Sequence, residues 1–254
     1  MTLPDTFLTT PLAHRALHDV TLGRPENSRA AVEAAIAQGY GIELDLQLSS
    51  DGQAMVFHDY DLSRLTLDKG AIRQRTADDL SRVPLRHGDE GIPTLADILD
   101  LVDGRVPLLI EIKDQDGAMG PRTGDLEASA AKLLASYQGP AAVMSFNPNA
   151  VASFATHNTG LPLGLTTGGY KQVDWPLLPA ATRLFLRSIP DFDRVGACFI
   201  SHDARDLSSP HVAHLKARNV PVLTWTIRSP QEEAEARKVA DNVTFEGYRA
   251  AQTS

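Results

Sequence analysis

Eight short apolar segments, most of them separated by helical patterns, constrain the fold of this chain more than any other feature of its sequence. In chain order the segments are LAH, GIELD, LLIEIK, AVMSF, LGLTT, CFISH, VLTWTI and VTFEG. Strands that alternate with helices favour a parallel sheet, and eight of them in 254 residues favour a closed (β/α)8 barrel. An open doubly wound sheet is the alternative, but no Gly-rich GxGxxG turn supports it. We therefore predict a single TIM barrel domain over residues 1–254.

The second segment leads into a predicted β-hairpin. Its apolar and polar residues alternate, as in a strand with one apolar face, so Glu43 and Asp45 point the same way. The following Asp51-Gly52 pair favours a two-residue type I′ turn. Pairing outward from that turn places Asp45 directly opposite His58. We therefore predict a hairpin extension after the second barrel strand that gathers two carboxylates and a histidine.

Two carboxylates on one face need a positive counter-charge. Like charges about 4 Å apart repel by roughly 4 kcal/mol at an effective dielectric near 20. The segment 41–59 contains neither Lys nor Arg, and Mg²⁺ and Ca²⁺ are cations that bind carboxylate oxygens. The segment therefore indicates a divalent metal site, with a solvated strand face and a hydrogen-bonded histidine as the alternative.

Charge and hydropathy narrow the classes of partner. The net charge of −8 disfavours nucleic acid and anionic membranes, which usually require a basic surface. No basic N-terminal region precedes an apolar run, and no apolar stretch approaches 18 residues, so we expect neither a signal peptide nor a membrane anchor. These features predict a cytoplasmic protein.

Polar residues mark the ends of several predicted strands. Functional groups of a (β/α)8 barrel cluster where its strands end at their C-terminal side. Seven such residues come from five different strands, and they are His14, Glu43, Asp45, Glu111, Lys113, Trp225 and Glu246. We expect them to converge on one pocket.

Several short motifs resemble one known family. They are His14-Arg15, Pro25-Glu26-Asn27, Glu43-Leu44-Asp45, Asp51-Gly52, His58-Asp59 and Ile110-Glu111-Ile112-Lys113. In this combination the sequence resembles the glycerophosphodiester phosphodiesterase family, and the resemblance covers nearly the whole chain.

The resemblance implies a TIM barrel hydrolase that cleaves a small-molecule glycerophosphodiester into sn-glycerol 3-phosphate and an alcohol. It also implies one bound divalent cation, Mg²⁺ or Ca²⁺, and a reaction in which the glycerol 2-hydroxyl attacks to give a cyclic phosphate. The implied roles are metal ligation by Glu43, Asp45 and Glu111, acid and base catalysis by His14 and His58, phosphate contacts by Arg15 and Lys113, and glycerol packing by Trp225.

The chain departs from the family pattern at two places. Ala16 stands where the family usually has Gly, within a longer loop 15–27. Glu246 stands where the family tends to have Asp, and its role is left open. We expect Asp59 to be an exposed loop carboxylate and Asn27 or Ser28 to cap the first helix.

Two alternative functions remain. Cleavage of a lipid head group, as by a lysophospholipase D, predicts an exposed apolar rim near the pocket, for which Leu17, Val20 and Leu22 are the only candidates. A noncatalytic barrel that binds phosphorylated polyols with a metal would need no histidine pair. The sequence leaves open the choice of metal, the head group, the histidine that acts as the base, and the oligomeric state.

Overall fold

A computed structural model describes residues 1–252 of the chain as a closed parallel barrel surrounded by helices. The strands are β1 (Leu12–Ala13), β2 (Gly41–Leu48), β3 (Ala54–Val56), β4 (Leu108–Ile112), β5 (Ala141–Ser145), β6 (Leu163–Thr167), β7 (Phe199–Asp203), β8 (Val222–Ile227) and β9 (Asn242–Phe245). The α-helices are α1 (Thr6–Thr9), α2 (Arg29–Ala37), α3 (Ala77–Ser81), α4 (Leu95–Val102), α5 (Asp125–Leu134), α6 (Pro148–Ala155), α7 (Ala180–Arg187), α8 (Pro210–Ala217) and α9 (Pro230–Ala236). Within residues 1–252, no helix has the length and apolarity needed to cross a membrane.

Eight of the strands close the barrel. β1 pairs in parallel with both β2 and β9, and the other strands follow in the order β9, β8, β7, β6, β5, β4 and β2. β3 pairs antiparallel with β2 and lies outside the ring. This arrangement confirms the predicted TIM barrel and its hairpin extension.

The hairpin register differs from the prediction by one residue. Leu48 pairs with Ala54, so three residues, 50–52, form the turn. Only Gly52 among them has a positive φ, of 78°. A type I turn followed by one left-handed residue gives such a three-residue loop, whereas a type I′ turn would need positive φ at two positions. The two-residue turn was therefore the wrong choice.

The register places Phe57, not His58, opposite Asp45. The backbone N–H of Phe57 donates to the carbonyl oxygen of Asp45 at 2.9 Å. The predicted direct pairing of Asp45 with His58 was thus wrong. Because β3 ends at Val56, His58 lies beyond the ladder, where strand pairing does not fix its direction.

Alternation along β2 decides which residues enter the barrel. Ile42, Leu44 and Leu46 are buried in the large apolar cluster that includes residues of α2 and α4. Successive side chains of a strand point to opposite faces, so Glu43 and Asp45 point to the other side, into the barrel. The apolar layer under the helices therefore fixes the direction of both carboxylates.

The helix ends match local sequence signals. Ser28 caps α2 by accepting a hydrogen bond from the backbone N–H of Ala31, so Ser28 and not Asn27 is the cap. Thr94 and Asp97 form a capping box at the start of α4. At the N-terminus, the predicted strand segment LAH contains β1 at Leu12–Ala13, and α1 precedes it.

Candidate functional site

Three carboxylates converge inside the barrel. Glu43 and Asp45 lie on β2, Glu111 lies on β4, and Asp45 and Glu111 are direct partners in the parallel register. Each offers an oxygen within 4.8 Å of the others, and the three residues are buried. The period of the strands and the pairing of β2 with β4 thus suffice to assemble this cluster.

Two cations from outside the hairpin balance part of this charge. The Lys113 Nζ lies 2.8 Å from Asp45 Oδ1 and 2.5 Å from Glu111 Oε1. The Arg15 Nε lies 3.5 Å from Asp45 Oδ2, and the Arg15 backbone N–H donates to Glu43 Oε2 at 2.9 Å. Segment 41–59 contains no Lys or Arg, and the fold supplies the positive charge from Arg15 and Lys113, which follow β1 and β4.

The cluster is not electrically balanced by its own residues. Burial and the charges of Asp45 and Glu111 raise the pKa of Glu43 well above its usual value. Burial opposes ionisation of Asp45 as well, yet Lys113, His58 and Arg15 hold its pKa well below its usual value. The excess of negative charge therefore falls on Glu43, which must take up a proton or be matched by a cation.

The donor set fits a hard divalent ion. All three donors are carboxylates, the oxygen ligands that Mg²⁺ and Ca²⁺ prefer. Two positive side chains face three negative ones, so a cation would relieve the repulsion that raises the pKa of Glu43. The cluster of Glu43, Asp45 and Glu111 could therefore hold one metal ion.

His14 follows β1 and contacts Glu246, which follows β9. The two strands are neighbours, and the His14 Nδ1 lies 2.5 Å from Glu246 Oε2. The hydrogen bond with His14 holds the pKa of Glu246 well below its usual value, so Glu246 is the acceptor and Nδ1 carries the proton. Burial lowers the pKa of His14 itself. The structure thus places Glu246 where it can fix the tautomer of His14.

His58 has a carboxylate partner of its own. Its Nδ1 lies 2.6 Å from Asp59 Oδ1, and the Nε2 of Gln47 donates to the His58 carbonyl oxygen at 3.0 Å. Asp59 was expected to be an exposed loop carboxylate, but its side chain is only 22% exposed. That expectation was wrong, because hydrogen bonds with His58 and Arg64 hold the carboxylate against the site.

A chain of ion pairs joins the two histidine loops, and the sequence did not reveal it. The Arg64 Nε contacts Asp59 Oδ2 at 2.6 Å, and its Nη1 contacts Glu26 Oε2 at 2.8 Å. Glu26 Oε1 in turn lies 2.6 Å from the Arg15 Nη1. Arg64 lies in an irregular segment with no motif, although its partners Asp59 and Glu26 belong to the His58-Asp59 and Pro25-Glu26-Asn27 motifs.

Asn27 supports the carboxylate cluster directly. Its side-chain Nδ2 donates to Asp45 Oδ2 at 2.9 Å, and its Oδ1 accepts from the Asp45 backbone N–H at 3.3 Å. Asn27 is almost fully buried. The motif that resembled a helix cap therefore positions Asp45 instead.

A cavity of about 580 Å³ opens beside the cluster. Four of the eight candidate residues line it, and they are His58, Glu111, Lys113 and Trp225. The other four, His14, Arg15, Glu43 and Asp45, lie outside its lining and are buried or partly buried. Asp45 contacts the cavity lining only indirectly, through its ion pair with Lys113.

Comparisons with known proteins agree with this geometry. The glycerophosphoryl diester phosphodiesterase family model matches residues 14–243. The protein YhdW of Bacillus subtilis (strain 168) is 30% identical over 234 residues, which cover 88% of each chain. A glycerophosphodiester phosphodiesterase of Bacillus altitudinis is 40% identical over 96 residues, but the match covers only 35% of this chain and 39% of that protein.

Solved structures share the fold. A phosphodiesterase of Oleispira antarctica, in complex with the product sn-glycerol-3-phosphate, has a TM-score of 0.75 at 22% identity and covers 95% of this chain and 94% of its own. A glycerophosphodiester phosphodiesterase of Thermotoga maritima has a TM-score of 0.68 at 20% identity, with 93% and 94% covered. At such identities the likeness concerns the barrel alone.

Proposed function

The chain belongs to the glycerophosphoryl diester phosphodiesterase family, a family of phosphoric diester hydrolases, and from that premise we propose that it cleaves glycerophosphodiesters to sn-glycerol 3-phosphate and an alcohol. One observation carries the proposal: Glu43, Asp45 and Glu111 converge within 4.8 Å in the barrel, with Lys113 and Arg15 beside them. The similar barrel from Oleispira antarctica that holds sn-glycerol-3-phosphate supports this choice of product.

The proposed metal is Mg²⁺ or Ca²⁺, held by Glu43, Asp45 and Glu111. Three carboxylates, one divalent ion, and the charges of Arg15 and Lys113 sum to +1, which matches a singly charged phosphodiester. When bound, the cation would withdraw charge from the phosphoryl oxygens. The site is then locally attractive to an anion, although the chain carries a net charge of −8.

Arg15 and Lys113 are the proposed phosphate-contacting side chains. Lys113 lines the cavity, and burial opposes its charge while Asp45 and Glu111 raise its pKa, so it stays protonated. Glu26 holds the Arg15 guanidinium from the opposite side. Fixed donors of this kind stabilise charge that develops on the phosphoryl oxygens without reorganising.

His14 is the proposed general base and His58 the proposed general acid. Burial lowers the pKa of His14 and favours its neutral form. Because the Nδ1–H group donates its hydrogen bond to Glu246, the Nε2 lone pair is available to accept a proton from the glycerol 2-hydroxyl. Asp59 Oδ1 lies 2.6 Å from His58 Nδ1 and orients the ring, and His58 is the proposed donor of a proton to the leaving oxygen. The products are a cyclic phosphate and the alcohol, and water then opens the ring. Trp225, on the cavity wall, would pack against the glycerol carbons.

Turnover and metal dependence test the proposal together. Glycerophosphocholine, glycerophosphoethanolamine and glycerophosphoglycerol are assayed for release of glycerol 3-phosphate, with and without a chelator. Glu111→Gln should abolish most of the activity, whereas the exposed control Glu235→Gln should retain it. No release from any substrate, with added Mg²⁺ or Ca²⁺, would reject the hydrolase. Metal-dependent phosphopolyol binding without turnover would instead support the noncatalytic barrel.

Exposed apolar side chains favour a second candidate, cleavage of a lipid head group. Val20 and Leu22 are 52% and 65% exposed, as this function requires, but Leu17 packs against the core. They are not the only candidates, because a second exposed set, composed of Val173, Leu177, Leu184 and Phe185, follows β6. Sedimentation with lysophospholipid-containing vesicles, followed by release of the head group, tests this candidate, and the absence of both would reject it.

A further inference from the structure

We propose that His14, His18 and Glu246 form a second metal site, which binds a transition-metal ion such as Zn²⁺ and blocks the catalytic base. The site is separate from the three-carboxylate cluster and differs from it in ligand chemistry. Binding of the ion stands on the geometry of the three side chains alone. Its effect on turnover rests on the proposed function, since that function makes His14 the base.

The three side chains already lie close together. Each offers one nitrogen or oxygen atom within 4.8 Å of the other two. The His14 Nδ1 lies 2.5 Å, and the His18 Nε2 lies 3.6 Å, from the same carboxylate oxygen, Glu246 Oε2. All three residues are partly buried, so water can still reach the group and supply a further ligand.

The distances fit tetrahedral coordination after a small shift. With metal–ligand bonds of about 2.0–2.2 Å, two ligands of a tetrahedral zinc ion lie roughly 3.3–3.6 Å apart. The separation of 3.6 Å between His18 Nε2 and Glu246 Oε2 is already at that value. The contact of 2.5 Å between His14 Nδ1 and Glu246 Oε2 would open by roughly 1 Å as the ion replaces the Nδ1 proton, which passes to water.

The Nε2 atom of His18 lacks a hydrogen-bond partner. It is buried, and no group within residues 1–252 satisfies it. Buried polar side-chain atoms nearly always have a partner, so an unsatisfied imidazole nitrogen calls for an explanation. A metal ion shared with Glu246 would supply the missing contact.

The backbone brings the two histidines to one side of Glu246. Arg15 and Ala16, which lie between them, both have a positive φ, of 52° and 66°, so the chain turns sharply after β1. The backbone N–H of His18 donates to the Ala16 carbonyl oxygen at 2.9 Å. Positive φ is uncommon outside glycine. This turn holds both imidazoles against the carboxylate that follows β9.

The donor set selects a different ion from the carboxylate cluster. Imidazole nitrogen suits Zn²⁺, Cu²⁺ and Ni²⁺, whereas carboxylates alone suit Mg²⁺ and Ca²⁺. Two histidines and one glutamate are a recurrent zinc ligand set, in which water takes the fourth position. The Arg228 Nη2 holds the other oxygen of Glu246, Oε1, at 2.8 Å. Glu246 would therefore bind the ion through Oε2 alone.

A second cavity, of about 740 Å³, reaches the site from outside the loop 15–27, and His18 lines it. Within residues 1–252 it shares no lining residue with the cavity of about 580 Å³ beside the carboxylate cluster. An ion can thus approach without passing the substrate. Four arginines also line this second cavity, so a cation is held there by direct coordination and not by general attraction.

Coordination at Nδ1 would remove the base. In neutral His14, Nδ1 carries the proton and Nε2 the lone pair. An ion at Nδ1 leaves the neutral imidazole with its proton on Nε2, which then cannot accept a proton from the glycerol 2-hydroxyl. Hydrolysis should therefore fall as the site fills, and added substrate should not restore it.

Calorimetric titration with Zn²⁺ tests the site without relying on turnover. Excess Mg²⁺ is present to compete for the carboxylate cluster. We expect His18→Gln and Glu246→Gln each to weaken Zn²⁺ binding about 100-fold or more, because loss of a partner outside the ligand shell already costs roughly 10–100-fold. His157→Gln, the same substitution at an exposed histidine, is the matched control and should change nothing.

The results that would overturn the site are equally specific. One is the absence of Zn²⁺ binding, and another is binding that neither variant weakens. Zn²⁺ binding that Glu111→Gln removes and His18→Gln leaves intact would place the ion in the carboxylate cluster instead. Two ligands tested separately keep the experiment decisive if one variant fails to fold.

Co²⁺ reports the coordination geometry. Tetrahedral Co²⁺ absorbs visible light far more strongly than six-coordinate Co²⁺, the geometry that all-oxygen sites favour. In the Glu111→Gln protein, Co²⁺ should give the intense tetrahedral bands, and the added change His18→Gln should remove them. A weak six-coordinate spectrum with and without His18 would overturn the site.

Activity separates this inference from the proposed function. Zn²⁺ should lower kcat in excess Mg²⁺, and His18→Gln should need about 100-fold more Zn²⁺ for the same loss. Inhibition that His18→Gln does not relieve would overturn the block at His14. Hydrolysis without His18-dependent Zn²⁺ binding would remove the site and leave the hydrolase standing. His18-dependent Zn²⁺ binding in a protein that hydrolyses none of the substrates would remove the hydrolase and leave the site.

Discussion

Glu246→Gln is the sharpest test of how the site handles protons. The substitution removes the negative charge that lies 2.5 Å from His14 Nδ1. It keeps a side-chain oxygen that can still accept the Nδ1 hydrogen bond. The perturbation is therefore electrostatic, and the orientation of the imidazole is preserved.

The expected magnitude follows from the geometry and burial of the pair. Opposite unit charges about 4 Å apart attract by ~1 kcal/mol in water and ~4 kcal/mol at an effective dielectric near 20. The side chains of His14 and Glu246 are 13% and 21% exposed, so we take an intermediate value of about 2 kcal/mol. That energy corresponds to a further decrease of about 1.5 units in the pKa of His14.

The pH dependence of kcat/KM then identifies the base. If neutral His14 accepts the proton, it stays neutral to lower pH in the variant, so the acidic limb should move down by about 1.5 units. The basic limb should stay in place. NMR titration of the His14 ring measures the same shift directly, and Glu235→Gln, an exposed change on α9, is the control. A stationary acidic limb would refute the coupling, and a shift of the basic limb alone would make His14 the acid.

Three further predictions concern stability. The pKa of Glu43 is raised in the folded protein, so the free energy of unfolding of the metal-free protein should fall as pH rises above about 4.5. Urea denaturation in the presence of a chelator measures this dependence, and Glu43→Gln should flatten it. A free energy of unfolding that rises with pH over this range would contradict the prediction. Asn27→Ala should lower the free energy of unfolding by about 1–3 kcal/mol, because Asp45 loses a buried hydrogen bond. An unchanged urea denaturation curve would exclude a supporting role of Asn27 for Asp45. Gly52→Ala should lower the free energy of unfolding by about 1 kcal/mol, because the φ of Gly52 is 78°. The control Ser50→Ala, in the same turn, should leave it nearly unchanged. Equal losses in the two variants would argue against the three-residue turn.

The barrel and the carboxylate cluster could be predicted because they depend on short-range patterns. Period-two alternation in β2 already determines that Glu43 and Asp45 share a face, since successive side chains point in opposite directions. The same alternation predicts that Glu111, on β4, and Lys113, directly after its end, point to the same side. Once the strands are parallel neighbours, their ends meet, and the convergence of these residues follows from strand order.

The turn shows where such local inference fails. An Asp-Gly pair suits both a two-residue and a three-residue hairpin, and the two differ by one position of register. The ladder with β2 selected the three-residue form and moved His58 out of the position opposite Asp45. The histidine still lines the cavity because the chain leaves the ladder after Val56.

The sequence by itself determined the fold class, the strands and the residues at their ends, because each of these depends on neighbours a few positions apart. Only the tertiary structure decided which side chains meet across the barrel. His14 finds Glu246, 232 residues away, because closure of the ring makes β1 and β9 neighbours. The Arg64 network depends in the same way on loops that follow separate strands. No local periodicity encodes these contacts, since the distances are set by closure of the barrel and by the packing of its loops.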